Sequence, residues 1–171
     1  MHVVYAAVAA LSAAAVQAES AAPSDPQIAA IVVTANQVDI DVSTLAEKKA
    51  QSKEVKDFAQ LMVANHTQVN QQAKDLVTKL HVTPEENATS KSLKEGGDKN
   101  LASLKKLSGG AFDKAYIDHE VTYHQTVLDA LDNTLIPSAQ NAELKALLQQ
   151  ARPTFVTHLE HAKQVQSMLS K

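Results

Sequence analysis

Residues 52–80, SKEVKDFAQLMVANHTQVNQQAKDLVTKL, decide the fold. Val55, Ala59, Met62, Val69, Ala73, Leu76 and Leu80 recur in alternating steps of four and three, the spacing that lines one stripe of an α-helix. His66 stands on the same stripe, between Met62 and Val69. Ser52 precedes it and can accept a hydrogen bond from the first free N–H groups of the helix. A stripe of this length has to be covered by other helices, and the chain supplies them. Ile28, Val32, Ala35, Asp39, Val42 and Ala46 mark a stripe before it. Ile117, Val121, His124, Leu128, Leu131 and Leu135 mark one after it. Leu144, Leu148, Ala151, Phe155, His158, Ala162, Val165 and Leu169 mark the last.

The punctuation between stripes sets the order of packing. Asp25-Pro26 reads as an N-cap with proline at the first helical position, opening a helix that runs to about Ala50. The break before Ser52 is so short that the first two helices must fold back on each other. The second helix runs to about Val82. Thr83-Pro84-Glu85-Glu86 has the form of a capping box and begins a lysine-rich connection, Pro84 to Ser108, broken at Gly96-Gly97. A third long helix is expected from Phe112 to Leu135, a turn at Ile136-Pro137-Ser138, and a fourth helix from Asn141 to Ser170, kinked at Pro153. Two hairpins joined by one crossover describe an all-α, ferritin-like four-helix bundle, a single domain over residues 25–171.

Composition agrees with close helix packing. Hydrophobic residues make up 44% but aromatics only 4%, so Leu, Val and Ala fill the core; 4 Gly and 5 Pro are too few for a turn-rich β-sandwich. The net charge of −3 offers nucleic acid no general attraction, and none is expected as a partner. The absence of Cys removes disulfides and thiolate metal sites. Residues 1–18 read as a signal peptide: Val3 to Val16 is uncharged and apolar, and Val16-Gln17-Ala18 has the small-residue form of a cleavage site. His2 stands where a Lys or Arg is usual. Cleavage after Ala18 leaves residues 19–24 as a linker and puts the mature chain in the periplasm, where a protein of the cell envelope is a possible partner. The apolar run is shorter than the roughly 20 residues that span a bilayer, and no later segment reads as membrane-spanning.

Each of the four stripes carries one ionisable side chain near its middle: Asp39, His66, His124 and His158. Pairing the short connections residue by residue puts His66 level with Asp39, and His158 within one layer of His124, about 5 Å along the axis. A buried polar group without a partner costs about 1–3 kcal/mol, against a total domain stability of about 5–15 kcal/mol. Four such groups are better placed together than apart. Three imidazoles and a carboxylate suit one transition-metal ion, zinc, iron or copper. Glu120, one turn before His124, and Asn65 and His161 are placed to support these ligands. Two other readings stay open beside metal binding: a register-fixing polar network in a structural, interaction or stress-tolerance module of the envelope, and a pH-responsive bundle. Lys91, Lys94, Lys99, Lys105 and Lys106 form a solvated face on the connection. No nucleophile–base arrangement or Gly-rich phosphate loop marks an enzyme, so binding is expected rather than turnover.

The stretches Met62-Val63-Ala64-Asn65-His66-Thr67, Phe112-Asp113-Lys114-Ala115-Tyr116 through His124, and Pro153-Thr154-Phe155 through His158-Leu159 resemble the bacterial family called domain of unknown function 4142. The resemblance runs from about Asp25 to Ser170 and implies an exported, ferritin-like helical domain. His66, His124 and His158 fall on histidines that recur in that family; Asn65 and Asp39 stand where it more often has Asp and Glu. Likeness to true ferritins ends at architecture, because di-iron sites need Glu-x-x-His pairs, whereas this chain has Glu120-x-x-x-His124 and His158-x-x-His161.

Overall fold

The computed structural model describes residues 22–170. The expected leader, residues 1–18, and residues 19–21 of the expected linker at 19–24 lie outside them. All regular structure among the described residues is helical. Helix α1 is Asp25–Lys49, α2 is Lys53–Lys79, α3 is Ala88–Lys105 and α4 is Gly109–Ala130. A π-helical stretch, Leu131–Leu135, and one turn at Ile136–Ser138 prolong α4, and α5 is Ala142–Leu169. Helix α1 packs on α2, α2 on α5, α5 on α4 and α4 on α1, so the four long helices close a ring. Helix α3 lies against α1 from outside.

Local chemistry explains most boundaries. Ser24, not Asp25, caps α1, with Gln27 completing the capping box, and Pro26 lies in the first turn. Asp25 instead accepts from the backbone N–H groups of Gln140 and Asn141, at 2.9 and 2.8 Å, tying the α4–α5 turn to the start of α1. Ser52 caps α2 as expected. Asp113, buried in α4, holds the α1–α2 turn by accepting from Gln51 N and Ser52 N. Helix α2 ends in a Schellman arrangement, with His81 at φ 54° and Val82 N–H donating to Val77 O. Asn141 caps α5.

The connection differs from its expected form. The capping box belongs to Asn87 and Ser90 rather than to Thr83 and Glu86, and α3 runs unbroken through Gly96-Gly97. A Cβ on Gly97 would stand 2.6 Å from Val38 Cγ1, so the missing side chain is what lets α3 approach α1. The third long helix starts at Gly109, with φ +60° there, and passes beyond Leu135 because Ile136 N–H reaches back five residues to Leu131 O. Helix α5 is continuous across Pro153.

Two apolar clusters fill the interior. One gathers Ile28, Ile31, Leu128, Leu131, Leu148 and Phe155; the other gathers Val42, Phe58, Met62, Phe112, Ile117 and Val165. Because α2, α3 and α4 all contact it, α1 is apolar over much of its circumference. It has a mean hydropathy of 1.3 over eighteen residues, long and apolar enough by composition to cross a membrane, which corrects the expectation that no segment beyond the leader is. More than half of that stretch, 56%, is buried in the fold.

The two adjacent glycines of α3 separate by substitution. Gly97→Ala should cost about 1–3 kcal/mol in urea unfolding, because Val38 must give way, and adding Val38→Ala should restore part of the loss. Gly96→Ala, with nothing within 4 Å of the new Cβ, should raise stability by up to about 1 kcal/mol.

Candidate metal centre

A single polar layer separates the two apolar clusters. Asp39 from α1, His66 from α2, His124 from α4 and His158 from α5 are all buried there, none more than 2% exposed. One nitrogen from each of His66, His124 and His158 lies within 4.8 Å of the others, and the same limit groups Asp39, Glu120 and His124. His66 Nε2 is 3.4 Å from His124 Nε2 and 3.4 Å from Asp39 Oδ2, while His124 Nε2 is 3.8 Å from that oxygen.

Hydrogen bonds on the outer side of the rings fix where the protons are. Asn36 Nδ2 donates to Val32 O at 2.9 Å, which turns its Oδ1 toward His66 Nδ1, 2.8 Å away. Nδ1 of His66 is therefore the protonated nitrogen, and Nε2 carries a lone pair. His124 Nδ1 faces the carbonyl of Glu120 at 3.0 Å, an atom that can only accept, so its Nε2 also carries a lone pair. Glu120 Oε2 lies 3.5 Å from the same Nδ1, supporting the ring further. Tyr116 OH donates to Ser43 Oγ at 2.8 Å and Ser43 Oγ donates to Asp39 Oδ1 at 3.0 Å, which leaves Oδ2 buried and without a donor. The inner faces thus present two imidazole lone pairs and a carboxylate oxygen to one another, with the Glu120 carboxyl bonded to Asp39 beside them.

His158 completes the group from the fourth helix. Its Nε2 lies 2.9 Å from Asn65 Nδ2, and its Nδ1 is buried without a partner. Turning the Asn65 amide end for end, a change between nearly isosteric groups, makes Nε2–H the donor and frees the Nδ1 lone pair. Phe155 stacks on His66 at 5.3 Å between centroids, at an interplanar angle of 24°, and closes the layer on one side.

Burial sets the charge of the site. It pushes His66 and His158 down to about 3 and lowers His124, so the imidazoles stay neutral at pH 7. It raises Asp39, against the pull of His124 and the bonds from Ser43 and the Glu120 carboxyl. Glu120 is driven well above the usual carboxylate range by burial first and by the adjacent Asp39 second. Both Glu120 oxygens are buried without a donor. Held protonated, the Glu120 carboxyl bonds to Asp39, and the two overlapping groups of side chains could hold a metal ion.

Residues 10–165 match the family described as Domain of unknown function (DUF4142). The chain belongs to that family. No curated protein and no solved structure matches it. In this DUF4142 chain Glu120 and Asn65 stand beside the core residues as their spacing suggested. His161 does not: it is half-buried, edge-on to Phe58 at 5.2 Å between centroids, outside the polar layer. Asn36 and Ser43 were not anticipated as part of the layer. Both are buried, and the signal for them lies in α1 itself, because Val32, Asn36, Asp39, Ser43, Ala46 and Ala50 also follow steps of four and three. The stripe through Ala35 and Val42 lies one residue away and is more apolar, so it masked the one that carries the polar layer. Tyr116 is core, and Tyr123 OH donates to Ala35 O at 2.8 Å. The lysines of the connection are all exposed.

Acid should act on this layer through the unfolded chain. His66 titrates near 6.5 when unfolded and at about 3 when folded. Its contribution is therefore complete above pH 6.5 and is lost as the pH falls, by up to about 1.4 kcal/mol per pH unit. Asp39 and Glu120, shifted upward, work in the opposite sense. The effect of His66 is isolated by difference: in chelator-treated protein, urea stability of the wild type relative to His66→Leu should fall by about 1 kcal/mol per unit between pH 6.5 and 5. A pH-independent difference contradicts the assignment.

Proposed function

We propose that this is an exported protein of the cell envelope that holds one transition-metal ion in the core of a ferritin-like four-helix bundle. The reading rests above all on the meeting of His66 Nε2, His124 Nε2 and Asp39 Oδ2 in a buried space, where the neighbouring Glu120 carboxyl bonds to Asp39 but neither inner imidazole nitrogen carries a proton. Lone pairs forced together repel, and a cation between them turns that repulsion into coordination.

The distances favour a particular geometry. Ligands about 2.0–2.1 Å from a zinc ion at tetrahedral angles stand about 3.3–3.4 Å from one another. The His66–His124 and His66–Asp39 separations, both 3.4 Å, fit that edge, and the 3.8 Å between His124 and Asp39 is slightly wide. His158 Nδ1 supplies the fourth ligand once the Asn65 amide is turned. Octahedral neighbours at such bond lengths would stand about 3 Å apart, so zinc suits the site better than metals that require six ligands. Glu120 behind His124 and Asn36 behind His66 are the outer partners that fix the tautomer of metal-binding histidines and strengthen them as ligands. A closed set of four protein ligands points to a structural or sequestering role rather than turnover, which generally needs an open position.

Chain order supports the ferritin-like reading: the hairpins α1–α2 and α4–α5 are joined by a crossover that carries α3. Export and a periplasmic location rest on the leader read from residues 1–18. The mature chain recovered from the envelope fraction should begin at Glu19 by N-terminal sequencing, and a chain that retains Met1 in the cytosol contradicts export.

Metal analysis of tag-free protein equilibrated with zinc should give one ion per chain, and cobalt substitution should give the intense visible bands of four-coordinate Co(II). His66→Ala with His124→Ala should abolish uptake, and Glu120→Gln should weaken it by about 10–100-fold. No uptake of zinc, copper or iron, or uptake unchanged in the double variant, overturns the reading.

A further inference from the structure

Beside the metal layer, between α1 and α4, lies a cavity of about 1070 Å³. Sites that enclose small molecules of drug size run to about 300–1,000 Å³, so this one has room for such a ligand. It arises because α1 and α4 touch along only part of their length, while the first turns of α3, through Ala88 and Leu93, lie across the gap. Ile31, Val127, Leu147 and Leu148 line its walls, and His66 and Phe155 stand at its inner end. Its rim reaches the surface at exposed residues such as Thr126 and Asn133.

The chemistry of the wall limits what can occupy it. Among the described residues, no Lys, Arg, Asp or Glu lines the cavity. Several of the polar side chains that line it are engaged by backbone carbonyls: Thr122 donates to Asp118 O, Thr126 to Thr122 O, Tyr123 to Ala35 O and Asn36 to Val32 O. Methyl groups and ring faces are left toward the space, and water there finds few partners. Of the polar residues without a side-chain hydrogen bond, Thr89, Asn133 and Thr134 are exposed at the rim and Ser138 is half-buried at one end, which leaves the half-buried ring of His119. It stacks on Tyr123 at 5.5 Å between centroids, borders both this cavity and a smaller one beneath α3, and makes no hydrogen bond among the described residues. The π-helical stretch also contributes, since Leu131, Asn133, Thr134 and Leu135 all border the cavity. Such insertions recur at functional sites.

From this we propose that the cavity binds a neutral amphiphile: one apolar chain or ring system with a single uncharged hydrogen-bonding head that meets His119. Among the described residues, the wall holds no cation to receive an anionic head. The proposal rests on the wall and not on the metal reading, so it is tested both in chelator-treated and in zinc-loaded protein, and the two can fail separately.

The probe is N-phenyl-1-naphthylamine, an uncharged fluorophore, titrated into the full chain and then displaced with 1-dodecanol or dodecanoate. Saturable one-site enhancement in both metal states is expected, with dodecanol displacing the probe at least tenfold more effectively than dodecanoate. Ala35→Phe and Ala130→Phe each project a ring into the space and should weaken probe binding at least tenfold with helix content retained. If Ala35→Phe fails to fold, Ala130→Phe carries the test. His119→Leu should weaken dodecanol several-fold. Absence of saturable binding, dodecanoate competing as well as dodecanol, or folded filling variants that bind like the wild type overturns the proposal; dodecanol competition unchanged in His119→Leu overturns the placement of the head.

Discussion

His66 Nε2 and His124 Nε2 face each other across 3.4 Å in the middle of the protein, each deprived of a proton by the bond its ring makes on the far side. Asp39 Oδ2 stands against both. Much of the interior is arranged around that unfavourable meeting. Asn36 and the Glu120 carbonyl orient the imidazoles, and the Tyr116–Ser43 pair holds the other Asp39 oxygen. Apolar clusters pack above and below the layer, and burial of its polar atoms strengthens the electrostatic interactions inside it.

The layer also constrains assembly. Its members come from α1, α2, α4 and α5, so it exists only when all four helices are in register. Shifting α2 by one turn would move His66 about 5 Å along the axis and leave Asn36 and Asp39 facing apolar side chains. A polar layer of this kind penalises wrong registers, while the clusters of Leu, Val and Ala on either side supply the general attraction without specifying depth. Helix α3 takes no part in the layer. It is held on the outside of α1 by the contact of Gly97 with Val38, and its first turns roof the gap that becomes the cavity.

Where reading the chain went astray, one cause recurs: a local pattern was satisfied by a different partner. Asp25-Pro26 has the form of a cap, yet the Asp25 carboxylate is engaged by the α4–α5 turn while Ser24 caps the helix. Gly96-Gly97 looks like a break, yet burial of Gly97 against Val38 makes a continuous helix the better solution. Asn36 and Ser43 share the spacing of Asp39, but a neighbouring apolar stripe hid them. His161 shares the spacing of a supporting residue and instead packs on Phe58.

By itself the sequence determined the four helical stripes, the hairpin order and the presence of one ionisable group on each stripe, because steps of three and four and short connections are local properties of the chain. Only the tertiary structure decided that those groups converge, that Glu120 joins them, which nitrogen of each ring faces inward, and that a cavity opens beside them. Those outcomes depend on helix rotation and depth, which are set by packing between residues far apart in the chain and leave no periodic mark in any one helix.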